Sequence, residues 1–405
     1  LRGAAAAQLK QLDEAFTAFK KTLLIKPSYA GAHNNIGNVL REKGKPEKAI
    51  EAYNKAILIK PDYAEAYYNM GNVFKDQRKL EDAIGALNKA ISLKPDYAEA
   101  YNNIGLIYKE QGNFEHATEA YTKAISIKPD YPNTYNNMAV TLKEQGKLDD
   151  AIEACTKALF INPDYAEAHL NLGNTLQDKG DFEEAIEAYN KAIAIKPDYA
   201  EAYNNMGFVL QEQGKLEEAI HAYNKALSIK PDYAGTHNNI GNYLKEQGKL
   251  DEAIETYTKA LSIKPDYADA YNNIGTCFQE LGKLNKAKEA YYKALSLKPD
   301  FTETHRNLSA ICKYSNKNLQ FIKVKKLLDV NGINDENRCN LNFAIAKMYE
   351  DIGDLKKAFY HLTEGNALRK KLLDYSIDQD VTLFSRLRTE QSLLQKYSLI
   401  KRKKI

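Results

Sequence analysis

Nine of the eleven prolines in this 405-residue sequence, Pro27, Pro61, Pro95, Pro129, Pro163, Pro197, Pro231, Pro265 and Pro299, stand 34 residues apart. Around each lies nearly the same phrase, as in Lys60-Pro61-Asp62-Tyr63. A fixed period of this length displaces the two or three globular domains that the chain length alone suggests. A repeat array grows by adding units, not by enlarging one core. Counting from the residue after each aromatic gives eight complete repeats: 30–63, 64–97, 98–131, 132–165, 166–199, 200–233, 234–267 and 268–301. Residues 1–29 are a partial unit, 302–340 a degenerate repeat and linker, and 341–405 a helical tail.

Each repeat reads as two amphipathic helices. In 200–233 the first runs from Ala200 to about Leu210, Gly214 breaks the chain, and the second runs to Ile229. Positions 4, 7, 8 and 11 (Tyr203, Met206, Gly207, Leu210) share one face at helical spacing, which predicts that they point inward. Gly207 at position 8 and Ala219 at position 20 are small where two backbones must approach. Ala226 at position 27 serves the junction with the next unit. Position 15 is Gly in seven of the eight repeats, suiting a helix end with φ > 0. The proline at position 32 stops the second helix, since the residue before it disfavours the α region. Asp62-x-x-Glu65, Asp96-x-x-Glu99, Asp164-x-x-Glu167 and Asp198-x-x-Glu201 have capping-box spacing at the start of the next helix.

The 34-residue period, the small residues at positions 8, 20 and 27, the aromatic at position 24 (Tyr53, Tyr121, Tyr189, Tyr223, Tyr257, Tyr291) and the proline at 32 resemble the tetratricopeptide repeat (TPR). The family's first-helix Trp is replaced by Tyr or His, as at Tyr67 and His169. The resemblance implies an all-α fold, a right-handed superhelical solenoid of helix-turn-helix units with first helices lining the concave face.

A helical wheel then puts positions 2, 6, 9 and 13 opposite the inward face. Position 6 is asparagine throughout: Asn35, Asn69, Asn103, Asn137, Asn171, Asn205, Asn239, Asn273 and, in the degenerate unit, Asn307. Position 9 adds Asn38, Asn72, Asn174 and Asn242. Carboxamides at regular spacing offer the donors and acceptors that match a peptide backbone with little regard to side chains. A similar ladder holds extended peptides in superhelical TPR proteins such as O-linked GlcNAc transferase and kinesin light chain. Two readings stay open: the row contacts a peptide, or the asparagines of adjacent helices bond one another. On the first, replacing Asn103, Asn137, Asn171 and Asn205 by Ala weakens peptide binding and leaves thermal stability nearly unchanged. Glu at position 2 is read as a cap.

A net charge of +3 argues against a general polyanion binder and so against nucleic acid. Residues 1–301 carry a balance of −5 and 302–405 of +8, half of the latter in Lys401-Arg402-Lys403-Lys404, a solvated end. Cys155, Cys277, Cys312 and Cys339 form no CxxC pair, and His33, His169, His237 and His305 stand at position 4 as packing residues. No metal-ligand spacing, nucleophile motif or phosphate loop is present, so neither a catalytic residue nor a metal site is assigned. No apolar run reaches the length of a membrane span. The expected setting is cytoplasmic.

The tail carries a resemblance of its own. HRNLSAI, FAIAKMYEDIGDLKKAF, EGNALRKK and DQDVTLFSRLR, over about 305–390, are similar to the segment joining TPR arrays to the sulfotransferase domain of bacterial TPR–sulfotransferase proteins. The sequence predicts helices near Leu319–Leu328, across Leu341–Leu372 with Gly353 and Ala358 like positions 15 and 20, and over Asp380–Lys396, with a turn at Asn331-Gly332. The chain starts inside a helix and stops where the family's next strand begins, so the sequence reads as a fragment open at both ends. Two functions are therefore expected: a scaffold gripping an extended polypeptide, or the substrate-binding part of a sulfotransferase, less readily of a protein O-GlcNAc-type glycosyltransferase. Only with a sulfotransferase domain would 3'-phosphoadenylyl sulfate be a cofactor.

Overall fold

The computed structural model describes residues 2–373, with side chains from residue 11 onward; the expected helix over 380–396 lies outside the described residues. Those residues form helices and turns without a strand. They fall into two compact units, Leu1–Ile229 and Lys230–Ile405, each considered by itself below.

In the first unit α1 (Arg2–Ile25) precedes six helix pairs: α2 (Ala30–Glu42) with α3 (Pro46–Ile59), α4 (Ala64–Asp76) with α5 (Leu80–Leu93), α6 (Ala98–Glu110) with α7 (Phe114–Ile127), α8 (Pro132–Glu144) with α9 (Leu148–Ile161), α10 (Ala166–Lys179) with α11 (Phe182–Ile195), and α12 (Ala200–Glu212) with α13 (Leu216–Ile229). Each pair is one sequence repeat, and α3, α5, α7, α9 and α11 also pack on the next first helix. The second unit holds α14 (Ala234–Glu246) with α15 (Leu250–Ile263) and α16 (Ala268–Glu280) with α17 (Leu284–Leu297). It continues through α18 (Thr302–Ile311), α19 (Leu319–Leu328), α20 (Asp335–Ile352) and α21 (Leu355–Leu372). Here α20 begins six residues before the expected Leu341, because Asn334 caps it by accepting from the Asn337 N–H at 2.8 Å.

The helix ends follow their sequence signals. The seven glycines at position 15 have φ between +65° and +90°, and Arg78, the one other residue there, is held at +58°. Gly353 and Gly332 are likewise left-handed. Second helices end two residues before the proline, at Ile59 for Pro61, with Lys60 between them at φ −133°, ψ 90°.

The capping box is overturned. The N-cap of α4 is Tyr63, not Asp62, and no side chain caps the helix; α6, α10 and α12 repeat this with Tyr97, Tyr165 and Tyr199. The aspartate stands one residue too early to reach the N3 amide. The corner is closed instead by the Tyr63 N–H donating to the Lys60 carbonyl at 3.1 Å, with the Lys60 ammonium 5.1 Å above the Tyr63 ring. The same lysine–tyrosine pairing recurs at Lys94/Tyr97, Lys128/Tyr131 and Lys196/Tyr199.

Each pair closes on a wedge. The position-24 ring lies over the position-8 glycine so tightly that a Cβ built on Gly37 would stand 2.4 Å from Tyr53 Cε1, and one on Gly173 2.5 Å from Tyr189 Cε1. Position 24 departs from tyrosine twice: Leu87 still faces a glycine, Gly71, whereas Cys155 packs with Ala139. A methyl group at position 8 is tolerated where position 24 is small. Positions 20 and 27 are fully buried alanines, Ala185 and Ala192 among them. Position 3 is equally buried, as Ala66, Ala100, Thr134 and Ala168, and was not anticipated. Ala66 packs with Ala56 of the preceding second helix, a contact a single-helix wheel does not contain.

This coupling predicts that Cys155→Tyr alone destabilises the first unit by roughly 1–3 kcal/mol through overpacking. Adding Ala139→Gly should recover most of the loss. Thermal denaturation of the two variants decides it; a stable Cys155→Tyr single variant would show that the wedge is not what limits position 8.

Candidate functional site

The first helices of neighbouring repeats lie side by side, and this contact is where the asparagines stand. Asn69 and Asn103 are buried, 8% and 9% exposed, while Asn35, Asn137, Asn171, Asn205, Asn239, Asn273 and Asn307 are half-buried. Position 6 is therefore not on a free face. In the first unit its Nδ2 donates backward to position 5 of the preceding repeat: Asn69 to Asn34 Oδ1 at 3.1 Å, Asn137 to Asn102 at 3.1 Å and Asn171 to Asn136 at 2.8 Å. Asn103 donates to Tyr68 Oη at 3.2 Å and to Asn72 Oδ1, at position 9, at 2.7 Å. Position 5 is Leu170 before Asn205, so Asn205 uses Asn174 Oδ1 at 2.8 Å. In the second unit Asn273 donates to Asn238 and Asn242 at 3.2 and 3.0 Å, and Asn307 to Asn272 at 3.3 Å.

Position 5 is thus the partner that sequence reasoning missed, although its signal was present. Six of the eight complete repeats carry Asn there, at Asn34, Asn102, Asn136, Asn204, Asn238 and Asn272. Acidic residues fix the polarity of the seam. A carboxylate only accepts, so Glu65 Oε1, 3.3 Å from Asn34 Nδ2, turns the Asn34 oxygen toward Asn69. Glu303 does the same to Asn272 at 3.3 Å. Glu65 and Glu303 at position 2 therefore end the seam instead of capping a helix, while Glu99 pairs with Lys128.

Position 9 ties the seam to the wedge. Tyr53 Oη donates to Asn38 Oδ1 at 2.8 Å, Tyr189 to Asn174 at 2.9 Å and Tyr257 to Asn242 at 2.7 Å. Burial pushes the Tyr53 phenol up to about 12, so it remains a donor at any physiological pH.

After these bonds, the groups left facing outward differ by position. Among the described residues nothing donates to the Oδ1 atoms of Asn69, Asn137 or Asn171, and nothing accepts from the Nδ2 of Asn72 or Asn174. Repeats 64–97 and 166–199 thus each offer one acceptor from position 6 and one donor from position 9.

Positions 4, 7 and 11 are less inward than expected. They floor channels between successive second helices; one of about 760 Å³ lies over Tyr101, Ile104 and Tyr108 with His116 at its rim. The position-4 histidines pack as anticipated and also bond the preceding proline carbonyl, His169 to Pro163 at 3.0 Å and His305 to Pro299 at 3.1 Å. Burial pushes the thiol of Cys155 up to about 12 and of Cys277 up to about 11, so neither is a thiolate nucleophile at neutral pH. Among the described residues no cluster of His, Cys, Asp and Glu is placed to hold a metal, and no helix is long and apolar enough to cross a membrane.

Two family models match the chain. One, described as the C-terminal domain of cilia and flagella-associated protein 70, matches residues 1–202; the other, described as tetratricopeptide repeat, matches 198–266 and again 232–300. The chain belongs to the tetratricopeptide-repeat family, and with it goes the coarse role of a protein-interaction scaffold. Among solved structures, YrrB, described as a TPR protein with an unusual peptide-binding site, is 25% identical over 46% of this chain and 95% of its own, with a TM-score of 0.38. MamA is 27% identical over 41% of this chain and 96% of its own, also with a TM-score of 0.38. No curated protein matches.

The seam carries stability, so the sequence expectation for alanine at position 6 changes. Asn171→Ala and Asn136→Ala should each cost about 1–2 kcal/mol, and the double variant less than their sum by at least about 0.5 kcal/mol. Strict additivity in urea titrations would mean that the 2.8 Å contact contributes nothing.

His305 adds a pH dependence. It is 1% exposed, Gln320 Nε2 donates to its Nδ1 at 3.4 Å, and burial holds its pKa below the ordinary 6.5. The unfolded chain then takes up the proton first, so stability is complete above about 6.5 and falls as the pH drops toward the folded pKa. The melting temperature should fall from pH 7.5 to 5.5 less steeply in His305→Tyr than in the wild type; identical slopes would contradict this.

Proposed function

We propose that the chain is a scaffold whose first-helix face binds an extended polypeptide of a partner protein. The observation that carries the reading is the unpaired acceptor–donor pair in two repeats with two asparagines: Asn69 Oδ1 with Asn72 Nδ2, and Asn171 Oδ1 with Asn174 Nδ2. An extended segment presents one N–H and one C=O per residue, the complement of such a pair. Position 9 is the better place to probe binding, because its open Nδ2 is not part of the inter-repeat seam. The other asparagines of the row, Asn103, Asn137 and Asn205 among them, contribute chiefly by holding the first helices in place.

Each hydrogen bond contributes only about 0.5–1.5 kcal/mol net, so several must act together. Fluorescence anisotropy of the whole chain with a fluorescein-labelled pool of mixed twelve-residue peptides should give saturable binding. The same pool with N-methylated backbones should bind at least about tenfold more weakly. Equal affinity of both pools would defeat the backbone reading.

A second reading rests on the tail sequence alone: the scaffold presents substrate to a sulfotransferase domain of a longer polypeptide. The open reading frame past Ile405 decides it, through the presence or absence of a phosphate loop that would bind 3'-phosphoadenylyl sulfate.

A further inference from the structure

We infer that the first-helix face of the first unit selects a side chain as well as a backbone: it takes an extended segment with an apolar residue seated over Leu106 and Val140, between hydrogen-bonding rungs at Asn69/Asn72 and Asn171/Asn174. This rests on the polypeptide reading above and makes its partner class narrower.

The first helices α4, α6, α8 and α10 follow one another side by side, and position 9 along them is Asn72, Leu106, Val140 and Asn174. Leu106 and Val140 are half-buried, whereas the neighbouring Ile107 and Ala139 are 0% and 1% exposed. They stand on the face that Asn72 and Asn174 share, not in the core. Two apolar rungs are therefore flanked on each side by one acceptor and one donor. Between them the row offers less to a backbone: Asn102 Nδ2 donates to the Asn103 oxygen at 3.4 Å, and Asn137 keeps an open acceptor without a position-9 amide beside it.

The fold's own bonding does not call for leucine at 106. Tyr53 and Tyr189 each donate to the position-9 asparagine of their repeat. Tyr121, fully buried at the same place, has Leu106 at position 9, and its hydroxyl makes no well-formed hydrogen bond among the described residues, only a loose approach to Thr141. An unsatisfied buried hydroxyl is destabilising. Leucine thus forfeits a bond that asparagine would make and gains an exposed apolar surface on the binding face.

Reach fixes the register. Three steps between neighbouring helices at about 8–10 Å each cover roughly 24–30 Å, which about eight extended residues span at 3.3 Å apiece. The apolar residue accordingly falls at the fourth or fifth place of the bound stretch.

The test uses the whole chain and fluorescein-labelled nine-residue peptides of alternating Ser and Thr, the parent and a set with one Leu at each position in turn. A central Leu should tighten binding about tenfold over a terminal one, equivalent to about 1.4 kcal/mol. The double variant Leu106→Asn, Val140→Asn installs the residue that position 9 carries at Asn38, Asn72, Asn174 and Asn242. It should bind the parent peptide more tightly than the wild type does, through two added amide donors, and lose the preference for central Leu. Leu106→Asn alone should raise the melting temperature, because Tyr121 regains an acceptor. A preference that survives the double variant, or parent binding with no favoured Leu position, overturns this inference and leaves the polypeptide reading standing. Failure of the wild-type chain to bind any peptide of the set overturns both.

Discussion

The ring at position 24 occupies the space that a side chain at position 8 would need. With glycine at 8, the ring of Tyr53, Tyr121, Tyr189, Tyr223, Tyr257 or Tyr291 lies against the backbone of its own first helix and sets how closely the two helices approach. Because that approach is nearly the same in each pair, neighbouring first helices meet at nearly the same offset. The amide contacts between them accordingly fall at constant separations, 35 residues for position 6 to position 5 and 31 for position 6 to position 9. A seam of this regularity needs both the wedge and the period; neither alone would align the carboxamides.

The seam explains why a polar row can sit between packed helices at tolerable cost. A buried amide without a partner is destabilising, whereas one that bonds its neighbour is not. The donors of Asn69, Asn103, Asn137, Asn171, Asn205, Asn273 and Asn307 are used across the repeat boundary, each position-9 acceptor is used by a tyrosine hydroxyl or the next asparagine, and Glu65 and Glu303 fix the direction. The surface is what these bonds leave over. What they leave is unevenly spread: asparagine pairs at Asn69/Asn72 and Asn171/Asn174, apolar positions at Leu106 and Val140, and a 37% exposed ring at Phe208.

Most of the architecture was legible because it is local and repeated. The proline, glycine and alanine positions each encode a backbone requirement that one repeat suffices to show, and the structure places φ > 0 at position 15 and full burial at positions 20 and 27 accordingly. What sequence reading misplaced are features that need a neighbour. The wheel of an isolated helix set position 6 opposite the inward face and could not choose between a peptide and a neighbouring asparagine as its partner, because a first helix here contacts its own second helix, the preceding second helix and the flanking first helices. Positions 3 and 5 face those extra partners. The capping box failed by a single residue: Asp62 has the right chemistry and lies before the N-cap, and only the backbone shows that Tyr63 takes that place. In the tail, Leu319–Leu328 was read to the residue, since its apolar spacing packs on α20 through Phe321 and Val324.

The central claim is that position-6 amides are held inside the fold while position-9 amides are free for a partner. Side-chain amide hydrogen exchange on the asparagine-labelled chain measures it directly, with Asn69, Asn137, Asn171, Asn72 and Asn174 assigned by single substitution. The account predicts slowed exchange of Nδ2 hydrogens at Asn69, Asn137 and Asn171, and exchange near the solvent rate at Asn72 and Asn174. Position-6 amides exchanging as fast as those at position 9 would contradict it.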